Sequence, residues 1–376
     1  MRKYIVFVSK DHYNPVGIVR TLGEAGINPI AVVVDSKPHQ VVRSRYVKEK
    51  YIVANSEEGL ELIKKKFGHE SEKPFILTGD DVTVALLDSH YDELKDHFFF
   101  YNAGVQGRIK EFMNKDTVCA LAEKHGFKIP KTWKVKHGEI PCNLEYPIFT
   151  KAVNSFGAEW KDIVFVCHNE EELKQAYTKI KSPEIIIQKY IEKTDEHGYD
   201  GFSVNKGKDC FFSVLSTGAY TLPKQYPATF LCHNVDNQDV IRKASAMLEE
   251  IGFEGIFEFE FMVGRDDGEL YFLEINFRNT INGWETTIFG MPNATLWCES
   301  MLRGYIDREH YYKKIPEGAY AIAECFDYDV RVKNKIMTHK EWMEMYRKAD
   351  CKLYKGRKDP MPFISFMVYK LFHKFH

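Results

Sequence analysis

The chain has 376 residues, 44% hydrophobic and 28% charged, with a formal net charge of -2, the composition of an ordinary globular protein with two or three domains. The near-neutral charge excludes a broad cationic surface for nucleic acid, and no stretch reaches the roughly 18 apolar residues that span a bilayer. Its eight cysteines form no C-x-x-C pair, which excludes zinc ribbons and redox motifs and fits reduced thiols in a cytoplasm.

In chain order, the amino-terminal "MRKYIVFVSKD" has a five-residue apolar run, too short for a signal peptide and right for a first strand. "NPVGIVRTLGEAG" then reads as a helix and "INPIAVVVD" as a strand. "FILTGDD" (75–81) is a further strand ending in polar residues, followed by the helical "VTVALLDSHYDELKDHF". Alternating strands and helices predict a parallel α/β domain over residues 1–108. It lacks G-x-G-x-x-G, so no dinucleotide is assigned to it.

"MNKDTVCALAEKHGFKIPKTW" (113–133) carries a helix that stops at Gly126. "YPIFTKAV" and "DIVFVC" read as strands, "NEEELKQAYTKI" as a helix with an Asn cap, and "EIIIQKYI" as a short strand. This linking helix and small lobe occupy 109–198. Residues 199–310 are mainly strands interrupted by the helix "NQDVIRKASAMLEEIG", and 311–376 form an extension.

The strongest signal is a hairpin. "GIFEFEFMV" (255–263) alternates phenylalanines with Glu258 and Glu260, and "GRDDGE" supplies an Asp-Gly turn. In "LYFLEINFR" (270–278), Tyr271, Leu273, Ile275 and Phe277 read as the core face, while Glu274, Asn276 and Arg278 share the other. A turn centred on Asp267 sets Glu260 across from Glu274, and Glu258 across from Asn276. Like charges facing each other destabilise a sheet, so the row needs protons, solvent or a cation. Magnesium takes one or two carboxylates together with phosphate oxygens and water, and Arg278 in the same row would meet the phosphate. A solvated outer face with glutamates pointing to water is the other reading.

Lys151, ending "YPIFTK", precedes the small-residue loop "AVNSFGAEWK", and Lys115 opens the predicted helix in "NKD". Either lysine is suited to nucleotide phosphates, or to a surface ion pair. Gln188 and the backbone of Lys189, Tyr190 and Ile191 offer an adenine edge, and Asp195 a ribose contact. A plain edge strand running into a charged loop fits the same residues.

Taken together, Lys115, Lys151, "QKYI", the acidic strand and "LEINFR" resemble the ATP-grasp superfamily over roughly residues 1–300. The resemblance implies α/β and α+β architecture: an ATP-grasp fold behind an N-terminal parallel α/β domain, with ATP held between two lobes. It implies Glu260, Glu274 and Asn276 as ligands of Mg2+ (or Mn2+), Lys115 and Lys151 on phosphates, and Arg278 with Lys151 as catalytic residues. Gln188 stands where an acid is more usual, and the glycine-rich loop has only Gly157. "TGDD", "YPIFTK" and "KQYPATF" look most like carboxylate–amine ligases of the D-aspartate ligase type. The implied activity is amide formation through an acyl phosphate from small-molecule carboxylate and amine substrates, with a cell-envelope precursor as acceptor. A nucleotide sensor or kinase-like enzyme is the alternative.

Three features stay open. His12 sits after the first strand, where α/β sheets present ligands, and is also an ordinary loop residue. Asp80 and Asp81 suit an amine or a helix cap. The aromatic, basic tail from Phe363 to Phe375 reads as a helix for an anionic membrane surface, for the protein body or for a second copy in an oligomer.

Overall fold

The computed structural model describes residues 2–152, 164–221 and 227–372, apart from the side chains of Lys151 and Ala152. Continuous apolar runs form the inner strands of the first sheet, because helices cover both its faces. Its elements are β1 (Tyr4–Val8), α1 (Tyr13–Glu24), β2 (Ile30–Val34), β3 (Glu49–Val53), α2 (Ser56–Phe67), β4 (Phe75–Leu77), α3 (Asp81–Ser89) and α4 (Tyr91–Leu94). The strands are parallel in the order β3-β2-β1-β4. The polar carboxyl ends of β1 and β4 are laced together: the Ser9 amide donates to Asp80 Oδ2 at 3.0 Å. Asp80 caps α3 through the Thr83 amide at 2.8 Å.

α5 (Arg108–Phe112) and α6 (Lys115–Lys124) lead into the second sheet. Asn114 caps α6 by accepting from the Asp116 amide at 3.0 Å, and Gly126 follows the helix at φ 84°, a conformation glycine adopts without strain. β5 (Thr132–Lys136), β6 (Ile148–Ala152), β7 (Val164–Cys167), α7 (Glu170–Lys179) and β8 (Glu184–Lys189) build a small lobe with antiparallel order β5-β8-β6-β7. Ile148, Leu173, Ile185 and Ile187 form its separate core.

The large lobe contains β9 (Lys193–Val204), β10 (Asp209–Gly218), β11 (Thr229–His233), α8 (Gln238–Ile251), β12 (Gly255–Gly264), β13 (Leu270–Asn276), α9 (Gly283–Ile288), α10 (Asn293–Arg303) and α11 (Arg308–Tyr311). β14 (Tyr320–Ile322), α12 (Glu324–Asp327), α13 (His339–Lys348), β15 (Cys351–Lys352) and α14 (Met361–Phe372) follow. The sheet order is β13-β12-β9-β10-β11-β14-β15. Two expected boundaries shift. Residue 198 falls inside β9, because the polar residues after Glu192 continue the strand, and the segment after 311 adds β14 and β15 to the large sheet. Trp297 of α10, fully buried, packs edge-on against Phe75 and Tyr101 and so joins the large lobe to the first sheet.

Candidate functional site

Alternation along β12 sends Phe257, Phe259 and Phe261 into the core and leaves Glu258 and Glu260 on the opposite face. On β13, Glu274 lies opposite Glu260 and Asn276 opposite Glu258, the register expected from the turn. One expectation needs correction. A bulge between Glu260 and Phe261 inserts Leu273 as an unpaired residue, so Phe272 takes the core position expected for Leu273 and Tyr271. The extra residue changes which face each side chain meets, and thereby keeps Phe272 inward while Glu274 stays on the acidic face.

A third strand completes the row. Asp200 of β9 lies beside Glu258, and Gly198 beside Glu260. A Cβ on Gly198 would come within 3.1 Å of Glu258 Oε1, so the glycine leaves the space the carboxylates occupy. Asn276 Nδ2 donates to Glu260 at 2.7 Å and to Glu258 at 3.1 Å, and Asn282 Nδ2 donates to Glu258 at 3.0 Å. Burial and then the Asp200 charge push Glu258 above the carboxylate range; burial followed by Glu258 and Glu274 does the same to Glu260. Asp200 is also raised by burial, and its second oxygen has no partner among the described residues.

This set fits magnesium. Every donor is a carboxylate or amide oxygen, and carboxylates that repel one another along the row would be neutralised by a divalent cation. No group of three His, Cys, Asp or Glu among the described residues is arranged to hold a metal by itself. An ion here would therefore rest on Glu260, Glu274 and Asn276 and fill its shell from substrate oxygens and water, which is how magnesium binds in phosphoryl-transfer sites.

Arg278 follows β13 and reaches across to the first domain. Its Nε donates to Asp81 Oδ1 at 2.7 Å and a terminal nitrogen to Oδ2 at 3.2 Å, a bidentate pair. Burial alone would lower the guanidinium pKa, but Asp81, joined by Glu258 and Glu260, holds it above the ordinary value. Asp80 is thus the helix cap and Asp81 the interdomain partner. His12 caps α1 by accepting from the Asn14 amide at its Nδ1, 3.4 Å away. Burial, Arg278 and Lys10 lower its pKa to about 4, so the ring is neutral at pH 7. The strand ends of the first domain and the end of the acidic strand therefore meet at one place.

Of the other expected residues, Lys115 lies near this row: α6 packs on β13, and the Cys119 thiol, raised first by burial, feels both Lys115 and Glu274. Lys151 pairs through its backbone with Ile186 and Val164; its side chain, the loop 153–163 with Gly157, and residues 224–226 of "KQYPATF" lie outside the described residues. Gln188 donates to the Thr132 hydroxyl at 2.8 Å. The amides of Lys189 and Tyr190 are committed to the carbonyls of Lys131 and Pro147, so Ile191 carries the one amide of the three that these carbonyls do not take. Asp195 pairs with Val263 on β12, roughly 10 Å along the strand from Glu260. Its Oδ1 accepts from the Gly218 and Glu196 amides at 2.8 and 2.7 Å. Asp200 and Asn282 escaped the sequence reading. The signal for Asp200 was an acid alternating with aromatics in "HGYDGF"; Asn282 lies in a loop after the strand and had none.

No family model matches the chain. It is 24% identical over 273 residues to carbamoyl-phosphate synthase of Methanobrevibacter smithii, covering 69% of this chain and 67% of that protein. It is 23% identical over 262 residues to D-aspartate ligase of Enterococcus faecium, covering 64% of this chain and 61% of the relative. The match thus spans about two thirds or less of these relatives' length. Among solved structures, the biotin carboxylase domain of Hydrogenobacter thermophilus 2-oxoglutarate carboxylase, crystallised with MgADP and bicarbonate, superposes with a TM-score of 0.59 at 17% identity, over 84% of this chain and 73% of that one. The chain has the fold of ATP-grasp structures and is distantly related to D-aspartate ligase and carbamoyl-phosphate synthase.

Proposed function

We propose that the chain is an ATP-dependent carboxylate–amine ligase that makes an amide by way of an acyl phosphate. The observation that carries this reading is the acidic row Glu260, Glu274 and Asn276, continued by Arg278 to the strand ends of the first domain. In the first half-reaction a substrate carboxylate oxygen attacks the γ-phosphorus of ATP and ADP leaves. In the second, an amine attacks the acyl carbon, the C–O bond to phosphate breaks, inorganic phosphate departs and the nitrogen loses a proton. Magnesium held by Glu260, Glu274 and Asn276 would neutralise charge on the β and γ oxygens.

Arg278 is placed to exchange Asp81 for the transferring phosphoryl group, trading one charge-assisted pair for another. Lys115 and Lys151 would bind phosphate oxygens, with Lys151 orienting the α and β groups. Gln188, the backbone of Lys189 to Ile191, and Asp195 would hold the nucleoside. Neutral His12 borders the same junction and adds no competing positive charge. Similarity to D-aspartate ligase supports an amino acid as one substrate, and the other substrate we propose is a cell-envelope precursor.

The test is ADP release by the purified chain with D- and L-amino acids paired against amino sugars and envelope peptide precursors. A pair that gives ADP, phosphate and amide in equal amounts supports the ligase. Glu274→Gln should then lower ADP formation at least about 100-fold with the fold intact, and a variant that turns over normally would sink the metal assignment.

A further inference from the structure

No helix among the described residues is long and apolar enough to cross a membrane. α14 turns two different apolar faces outward and inward. Phe363 and Phe366 pack against the main core, with the Phe366 ring 6.1 Å from Tyr13 and 5.5 Å from Tyr354. The Ser365 hydroxyl donates to the Pro38 carbonyl at 2.6 Å, and Lys370 pairs with Asp329 at 2.7 Å. These contacts fix the helix rotation. The opposite face carries Met361, Ile364, Val368 and Leu371, which follow helical spacing and are 44–61% exposed, and Phe372 is 73% exposed.

The surroundings of this stripe are basic, and the fold makes them more so than the sequence does. The 3-10 turn Val41–Arg43 packs on α14 and brings exposed Arg43 to it. Arg45 donates to the Lys358 carbonyl at 3.3 Å, which sets it beside exposed Lys355 and Arg357 at the start of the helix. From residue 352 to the end, six Lys or Arg stand against one acid, Asp359, in a chain whose net charge is -2. Asp359 is buried on Arg20 and cannot offset the rim. Lys358 and Lys370 are taken up by Glu24 and Asp329, so Arg43, Arg45, Lys355 and Arg357 carry the outward charge.

We infer that the α14 stripe and its arginine–lysine rim dock this chain peripherally on an anionic lipid surface. Apolar side chains enter the headgroup–acyl boundary while the rim meets lipid phosphates, the combination that gives reversible interfacial binding. A second copy is a poorer occupant, because a two-fold contact stripe to stripe would set two basic rims against each other.

The experiment is flotation of the full chain with vesicles of phosphatidylcholine alone, or of phosphatidylcholine containing phosphatidylglycerol. The expected result is co-flotation with the anionic vesicles only, weakened by salt. Replacing Ile364, Val368 and Leu371 with Ser should lower the partition coefficient at least about tenfold with circular dichroism unchanged, as these side chains leave the core untouched. A second variant, Lys355→Glu with Arg357→Glu, should lose anionic preference while keeping the stripe. Absence of flotation by the wild type, or flotation of either variant with anionic vesicles equal to that of the wild type, overturns the inference. So does a wild-type dimer that the serine variant dissolves without any lipid binding.

Discussion

Placed opposite each other on neighbouring strands, Glu260 and Glu274 repel when both are ionised, and Glu258 adds a third carboxyl from behind. Asn276 and Asn282 offset part of this by donating to Glu258 and Glu260, which explains why two amides belong to an acidic site. His12 shows the complementary device. Its folded pKa of about 4 lies below the usual 6.5, so the folded state binds fewer protons than the unfolded chain between those values. Its contribution to stability is therefore complete above about pH 6.5 and lost as pH falls towards 4. Thermal unfolding of His12→Gln should show a flatter pH dependence across that window, by about 1–3 kcal/mol. Parallel curves for the two proteins would mean the ring is not held neutral by its surroundings.

At the scale of elements, the bulge at Leu273 is the informative feature. Pairing from the turn sets Phe261 against Phe272, and the extra residue lets Glu274 still reach Glu260. Deleting Leu273 removes the unpaired residue and leaves both pairs in register. The variant should fold, lose about 1 kcal/mol for one half-buried leucine, and retain magnesium-dependent ADP formation, as urea melts and turnover would check. Loss of turnover with the fold retained would instead give the bulge a role in aiming Glu274. The alternation of "FEFEF", the Asn cap of α7 and the stop at Gly126 were legible because each depends on neighbours in sequence. The bulge was not, since Leu273 carries none of the glycine signal that often marks one. Nor were β14 and β15, three and two residues long, whose place depends on a sheet already built by distant strands. Asp200 likewise gains its meaning only when β9 lies beside β12.

Across the whole molecule, the chain's end is tied to its beginning. Arg20 of α1 and Asp359, 1% and 2% exposed, form a buried pair, and Asp359 also accepts from the Ser44 hydroxyl at 2.8 Å and the Arg45 amide at 2.9 Å. Removing one member leaves a buried charge unmatched, so Asp359→Ala should cost about 3–5 kcal/mol in urea unfolding. A loss under 1 kcal/mol would show that the two ends do not share one cooperative unit. The pair also holds α14 and its basic rim in place, while Arg278 and Asp81 join the same first domain to the acidic ribbon.

A divalent ion held by the ribbon against a nucleotide would be detected by Mn2+ electron paramagnetic resonance. With a non-hydrolysable ATP analogue present, the wild-type chain should remove the free-ion signal, and Glu260→Gln with Glu274→Gln should restore it. Equal Mn2+ uptake by the wild type and the double variant would place the ion elsewhere than on Glu260 and Glu274.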